Sequence, residues 1–277
     1  MLIDGDVLVS GDAGRQFRAQ FEVLHDFGSF NSYCDLTLSN LRYTTVASAL
    51  KRGGKLTLRC GYVDNIDVIF SGTIQNTFNH RSGTEINTQI IARGSGTPDT
   101  RPIVNKSFGA GVSVVELIRA CADAMDIPAI IIESQFSDVP GYVGGYRMTG
   151  DPLQFLNALS LSHSFSFTIE NGRLLVVRKG QSRAGSVEQI SQFTGMEGSP
   201  EITEVGATVT TRLNPRARVG DRFQINSQFA TFNYSNVFFQ NVPDSAGLGI
   251  YTTTRLSHSG DSHGDIWSTR REGVRPV

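Results

Sequence analysis

Two long segments of the chain, residues 17–93 and 201–267, consist of short runs in which apolar residues occupy every second position. The clearest run is Phe17 to Val23, where polar residues separate the apolar ones. A period of two is typical of half-buried strands, and the runs are separated by Gly, Asn and Asp turns at close spacing. Each segment is therefore predicted to form a small, closed β-barrel or a sandwich.

The alternation places strands at similar intervals in both segments. In the first segment the predicted strands are Phe17–Val23, Cys34–Leu38, Lys55–Cys60, Val68–Ile74 and Ile86–Ala92. In the second they are Ile202–Leu213, Arg222–Ile225, Thr231–Phe239 and Gly249–Ser257. The Gly- and Pro-containing stretch Gly94–Pro102 is predicted to be a linker, and residues 181–200 are predicted to be a connection that returns the chain to β structure.

The region between the two segments has a different period. Ser113 and Glu116 have the spacing of a capping box, and the apolar residues that follow lie on one helical face up to Pro128. A second helix is predicted to begin at Asp151, because proline follows it at the first helical position. Asn171 and Gly172 then predict a type I′ hairpin between two short strands.

The fold class that follows is mainly β with a smaller α/β part. Residues 1–97 are predicted to form a first β-barrel domain and residues 98–180 a helix-containing α/β insert. Residues 181–277 would supply the return connection and a second β-barrel domain. The chain of 277 residues is long enough for two or three such domains.

The charge balance and the cysteines exclude several classes of function. The net charge of −1 provides no overall basic field that would recruit nucleic acid or an anionic membrane. Neither a secretory signal nor an apolar run of membrane-spanning length is recognisable, so we expect synthesis and folding in the cytoplasm without membrane insertion. The three cysteines form no CxxC pair, and Cys34 and Cys60 are expected to be buried.

The sequence contains one apparent catalytic motif near its end. Residues 260–264 match the G-x-S-x-G pattern of serine hydrolases, but that pattern requires a helix after the serine and a histidine later in the chain. His258, Asp261, His263 and Asp265 could instead be metal ligands, although the neighbouring glycines favour a polar turn. We therefore predict no catalytic residue, no metal and no cofactor.

The order of short motifs resembles a known family. Asn31, the stretch Leu38 to Leu41 with Asn40, Gly61-Tyr62, and Ile69 to Ile74 with Gly72 are similar to the N-terminal tube-like domain of baseplate hub proteins from contractile-tailed phages. Residues 194–203 with Pro200, Asn214-Pro215 and Gly220-Asp221 resemble the second tube-like domain, and the stretch from His258 to Trp267 resembles the end of such hubs. The hub part of type VI secretion spike proteins is related to this family.

The resemblance implies assembly and not catalysis. Such hubs are homotrimers, in which two tube-like domains per chain give six around an axis. The trimer would join a hexameric tail tube to a trimeric central spike, contact other baseplate proteins and surround a channel through which genomic DNA passes without specific binding. The residues carried over are structural motifs, and the expected location is the tail baseplate of the virion.

Three alternatives remain open at this point. The chain could be the hub of a non-contractile tail or of a defective prophage particle. It could also be a monomeric carbohydrate- or surface-binding β protein, which would expose aromatic side chains on one face. An enzyme is the third alternative, and no constellation of residues supports it.

Overall fold

The computed structural model describes residues 2–3, 6–7, 17–27, 32–41, 52–94, 102–203, 205–227, 231–232 and 249–275. The first part of the chain forms strands β1 (Leu2–Ile3), β2 (Asp6–Val7), β3 (Ala19–Asp26), β4 (Tyr33–Ser39), β5 (Lys55–Tyr62), β6 (Asn65–Ser82) and β7 (Glu85–Gly94). The last part forms β13 (Glu188–Ser191), β14 (Met196–Ile202), β15 (Gly206–Arg212), β16 (Arg222–Asn226), β17 (Thr231–Phe232), β18 (Ile250–Asp261) and β19 (Trp267–Val274).

The middle part contains the described helices. Its elements are β8 (Val104–Phe108), α1 (Val114–Ala124), β9 (Ala129–Ile131), a short 3-10 helix (Glu133–Phe136), β10 (Tyr146–Gly150), α2 (Pro152–His163), β11 (Phe165–Glu170) and β12 (Arg173–Arg178). The prediction of a mainly β protein with a helix-containing α/β part is confirmed. Neither helix is long and apolar enough to cross a bilayer, among the residues described.

The strands of the first and last parts belong to one sheet. Its order is β17-β14-β15-β19-β18-β3-β4-β7-β6-β5-β1-β2, with β16 pairing on β18 and β13 pairing on β16. β3 and β18 join the two parts through an antiparallel ladder that runs from Asp26 opposite Arg255 to Gln20 opposite Asp261.

The order of the described strands is open, so the expected closure into two barrels is not seen among them. The physical reason lies in β3. One edge of this strand pairs with β4 and the other pairs with β18, so neither edge is left to close a first barrel on itself. The two β-rich segments are therefore halves of one sheet.

Among the described residues, three larger apolar clusters lie in the three parts of the chain. The first contains the inward-facing residues of β3 to β7 together with Leu213, and the second fills the insert around α1 and α2. The third lies among β13 to β18. A fourth, small cluster of Ala217, Val219 and Leu256 packs with Phe27 where the parts meet. The boundaries at residues 97 and 180 remain predictions.

Local signals explain the helices and the hairpin of the insert. The Ser113 hydroxyl accepts a hydrogen bond from the backbone of Glu116, and the Glu116 carboxylate accepts one from the backbone of Ser113 at 2.8 Å. Asp151 caps α2 through the backbone N–H of Leu153 at 2.8 Å. Asn171 and Gly172 have φ angles of 50° and 74°, as a type I′ turn requires.

One predicted strand and one predicted connection are wrong in detail. The predicted strand Ile202–Leu213 is divided between β14 and β15 by a turn in which Thr203 N–H donates to the Gly206 carbonyl at 2.8 Å. The expected connection 181–200 contains β13 and most of β14, since their backbones pair with β16 and β15. In the predicted strand Thr231–Phe239 the described part is β17, and the rest lies outside the described residues.

Candidate functional site

The loop between β15 and β16, residues 213–221, contains four of the residues carried over from the family motifs. The backbone N–H of Leu213 donates to the Trp267 carbonyl at 3.0 Å, and that of Asn214 donates to the Thr269 hydroxyl at 2.9 Å. The Asn214 side chain also donates to Glu188 at 2.9 Å. These bonds fix the start of the loop to β19 and β13.

The end of the loop is fixed by Gly220 and Asp221. Gly220 has a φ of 87° and is buried, and a Cβ at this position would lie 2.8 Å from Cγ of Arg183. Its N–H donates to the Thr253 carbonyl and its carbonyl accepts from the Arg183 backbone, both at 2.8 Å. The Asp221 carboxylate accepts from the backbone N–H of Arg218 at 3.0 Å. Burial raises the pKa of Asp221, against the opposing charge of Arg183.

Arg218 connects this loop to the other two parts of the chain. Its Nη1 donates to the carbonyls of Pro215 and Ala217 at 2.6 and 2.9 Å, which holds the guanidinium in one orientation. Its Nη2 donates to the Val68 carbonyl of β6 at 3.2 Å. Its Nε lies 3.3 Å from the carboxylate of Glu170 in the insert, which is an ion-pair contact.

Glu170 is the buried anion of this junction. Its side chain is only 7% exposed, and it lies between Arg218 and Arg183, whose Nη1 is 3.7 Å from the other carboxylate oxygen. Arg183 also lies 3.8 Å from Asp221, and Arg218 lies 3.7 Å from the half-exposed Asp67. A buried carboxylate requires such partners, because an unpaired charge in the interior is strongly destabilising. We call Asp67, Glu170, Arg183, Arg218 and Asp221 the junction cluster.

Two buried histidines lie close to the junction cluster. His25 Nε2 donates to the Ile69 carbonyl at 2.8 Å, and Ser32 Oγ lies 2.7 Å from His25 Nδ1 and 3.0 Å from the Ile169 carbonyl. Burial lowers the pKa of His25, against the attraction of Glu170. Burial also lowers the pKa of His258, further than that of His25, with the nearby cations adding to the effect. Both rings are therefore neutral at pH 7.

The remaining motif residues do not gather at the junction. Asn40 has a φ of 60°, and its side chain accepts from Ile86 N–H at 3.1 Å at the end of β4. Gly61 and the half-exposed Tyr62 end β5, while Pro200 is buried in the bulge of β14.

Gly72 lies within β6, and Trp267 opens β19 with its ring 5.4 Å from that of Phe21. Asn31 lies outside the described residues. The motif residues that the structure describes here lie in turns or in contacts between strands.

The G-x-S-x-G motif forms the turn between β18 and β19. Strand β19 follows the serine where a hydrolase would have a helix. The Asp261 carboxylate accepts from Arg18, Gln20 and the backbone of His263, and the hydrogen bond from Arg18 holds the pKa of Asp261 well below its usual range. The described residues contain no group of three or more side chains placed to hold a metal ion.

Sequence reasoning missed the residues that connect the three parts of the chain. Arg218 lies between the small buried residues Ala217 and Val219, and Glu170 directly precedes the hairpin turn. A charged residue within an apolar context is a signal of a buried pair, but the sequence does not identify the partner. Glu170 and Arg218 are brought together only by the folded chain.

Comparison with known proteins supplies the family. A family model described as baseplate hub gp41 matches residues 34–235. No curated protein sequence matches the chain significantly.

Solved structures of tail proteins share the fold at low sequence identity. The 43 kDa tail protein of prophage MuSo2 from Shewanella oneidensis has a TM-score of 0.60 and 10% identity, covering 93% of this chain and 92% of its own. A tail protein from Neisseria meningitidis MC58 has a TM-score of 0.58 and 10% identity, covering 92% and 91%.

A third similar structure comes from a secretion system. The E. coli c3393 protein has a TM-score of 0.58 and 10% identity, covering 95% of this chain and 76% of its own. It is described as a component of the type VI secretion system, with structural similarity to the T4 bacteriophage tail proteins gp27 and gp5.

Proposed function

The chain belongs to the baseplate hub gp41 family, whose model spans most of its length, and on this premise we propose that it forms a homotrimeric symmetry adaptor in the tail baseplate. As a member of this family it is a structural protein of the phage tail. The trimer would join a hexameric tail tube on one side to a trimeric central spike on the other.

The continuous sheet supports this proposal most directly. Because β3 pairs with β18, the two β-rich halves of one chain are held edge to edge in a fixed arrangement. Three chains around an axis would then present six such halves, and the contact within a chain would alternate with the contact between chains. A ring of this kind can match sixfold symmetry on one side while it keeps threefold symmetry on the other.

The junction cluster gives the adaptor its rigidity. Arg218 contacts the first half through the Val68 carbonyl, and it contacts the insert through Glu170. Its own loop belongs to the second half. A subunit that holds the tail tube and the central spike in a fixed alignment requires such internal connections.

The partners proposed for this protein are the tail tube protein, the central spike protein and other baseplate proteins. Genomic DNA would pass through the ring without specific binding, and the net charge of −1 supports this, because many phosphate contacts would retain the DNA. The similarity of the E. coli c3393 protein to two T4 tail proteins supports other tail proteins as neighbours.

Electron microscopy and native mass of the purified chain test the proposal, alone and with the tail tube protein of the same particle. We expect a threefold ring, formed by the chain alone or nucleated by its partners, and antibody labelling at the baseplate end of the tail. A monomer that does not bind the tail tube protein but binds glycans would contradict the adaptor proposal and favour the carbohydrate-binding alternative. A ring found in tails without a sheath would assign it to a non-contractile machine.

A further inference from the structure

Two strands near opposite ends of the strand order carry features that complement each other. β14 lies next to the terminal strand β17, which pairs with its last two residues, and β5 lies next to β1 and β2, with Leu56 and Thr57 pairing with β1. A ring of identical subunits requires a heterologous contact, in which one patch of a subunit meets a different patch of the next. The identity of this contact is inferred here on the basis of the proposed trimer.

A rigid turn presents an aromatic side chain beside β14. Phe193 is 89% exposed, which is rare for so large an apolar residue. The backbone N–H of Ser191 donates to the Thr194 hydroxyl at 2.8 Å, and this hydroxyl donates to the Gln189 carbonyl at 2.9 Å. The Thr194 N–H also donates to the Ser191 carbonyl at 3.0 Å. The turn is therefore ordered before any partner arrives, which lowers the entropic cost of binding.

An apolar groove lies between β3 and β5, beside the turn that joins β18 to β19. It has a volume of about 410 Å³, and its apolar lining includes Phe17, Leu58, Cys60, Ile66 and Trp267. A groove of this size accepts an aromatic ring, and buried aromatic anchors dominate the energy of protein interfaces.

The charges next to the two features are opposite in sign. β14 carries the exposed Glu197 and Glu201 and no basic residue, while β5 carries the exposed Lys55 and Arg59 and no acidic residue. Arg59 also borders the groove, and Lys55 lies at the start of the same strand. Within the described ranges none of the four takes part in an ion pair.

We propose that the surface around β14 of one copy docks on the surface around β5 of the next copy. Phe193 enters the apolar groove, and Glu197 and Glu201 lie against Lys55 and Arg59. The aromatic anchor supplies most of the affinity, and the charges select the partner and the orientation. The occupant of the groove is thus a second copy of this chain, and three such contacts close the ring.

Substitution of the anchor tests the first part of this proposal. Phe193→Ala should weaken self-association of the full chain at least ~30-fold, the effect of losing one central interface residue. The matched control is Val143→Ala in the insert, since Val143 is also 89% exposed and should leave association unchanged. Sedimentation over a range of concentrations measures both, and circular dichroism confirms that both variants are folded.

Charge reversal tests the second part. The variants K55E/R59E and E197K/E201K should each fail to form the trimer at low salt, whereas the quadruple variant that combines them should form it again. The control K106E/R147E places the same charge change on exposed positions of the insert and should assemble normally. Restored assembly in the quadruple variant cannot arise from a general loss of folding.

The outcomes separate this interface from the proposed function. If the wild-type chain forms a trimer and every variant forms it equally well, the interface is wrong and the adaptor stands. If Phe193→Ala still forms the trimer but no longer binds the tail tube protein, then Phe193 contacts that protein and not a second copy, and the inference is overturned. If the wild-type chain forms no trimer, either alone or in assembled tails, both proposals fail.

Discussion

The two buried histidines are the residues whose burial has the clearest consequence for stability. The rings of His25 and His258 lie 6.1 Å apart, edge to face, and both are almost completely buried. Burial lowers the pKa of each ring below the ordinary value of 6.5, and a charge on His25 would lower the pKa of His258 further. In mild acid the two rings therefore stay unprotonated in the folded protein, whereas they bind protons in the unfolded chain.

This difference in protonation predicts a loss of stability in mild acid. Below about pH 6.5 the unfolded chain binds more protons than the folded one, so the free energy of unfolding falls by up to about 1.4 kcal/mol per pH unit for each histidine. Urea unfolding between pH 6.5 and 5 measures this slope. His258→Gln should make it shallower, whereas the exposed His80→Gln should not. Equal slopes for the wild type and both variants would contradict the argument.

Gly72 is a residue whose lack of a side chain is required by its neighbours. A Cβ at this position would lie 2.0 Å from the Arg93 carbonyl oxygen on β7 and 2.6 Å from the ring of Phe70. Gly72→Ala should therefore lower the free energy of unfolding by about 1–3 kcal/mol, because the contact with β7 must open. Gly109→Ala is the control, since nothing lies within 4 Å of that position. Thermal unfolding of the two variants should differ clearly, and similar midpoints would refute the close approach.

At the scale of elements, the junction cluster determines how the loop 213–221 is attached to the insert. Arg218→Met removes one of the two cations around Glu170 and should cost about 3 kcal/mol. Adding Glu170→Gln removes the carboxylate charge, which Arg218→Met leaves with Arg183 as its remaining cation. The double variant should therefore lose less free energy of unfolding than the sum of the two single variants. Denaturant unfolding of all four members of this cycle measures the coupling.

The exposed pair of Arg119 and Glu133 provides the control for this cycle. Its side chains are about half exposed, so Arg119→Met should have little effect on stability. Strict additivity in the junction cycle would mean that Glu170 and Arg218 do not stabilise each other.

The elements differ in how far the sequence predicts them. The capping box of Ser113 and Glu116 and the hairpin turn at Asn171 are correct because their partners lie within a few residues. The sequence predicts most of strand β14 as a connection, because Gly198 and Pro200 weaken its alternation, and pairing with β15 and β17 makes it a strand. The pairing of Glu170 with Arg218 cannot be predicted from the sequence, since no local pattern relates the two residues.

At the scale of the whole molecule, the pairing of β3 with β18 decides the architecture. Arg18 and Asp261 are 243 residues apart in the chain, yet Arg18 Nη2 lies 2.7 Å from the Asp261 carboxylate beside this ladder. Alternating residues identify both strands, but they do not identify their partners, and closure into two barrels was equally compatible with the sequence. The long connection that brings the partners together includes the entire insert.

This architecture predicts that the three parts of the chain, when expressed separately, will differ in their ability to fold and to stay soluble. The insert, residues 98–180, contains its own apolar cluster. Within it β8 pairs with β10, and β12 pairs with both β9 and β11, so the insert should fold when expressed alone. Residues 1–97 alone would expose the edge of β3 that β18 covers, and an uncovered edge strand favours aggregation.

Soluble expression and amide hydrogen exchange of the two fragments measure the difference. Adding residues 181–277 to the first fragment in trans should restore solubility, because it supplies β18, and slow exchange should return to β3. A soluble, monomeric first fragment with slowly exchanging β3 amides would show that the first half closes on itself. The two halves would then be independent units, and the rigid arrangement on which the six-part ring depends would be lost.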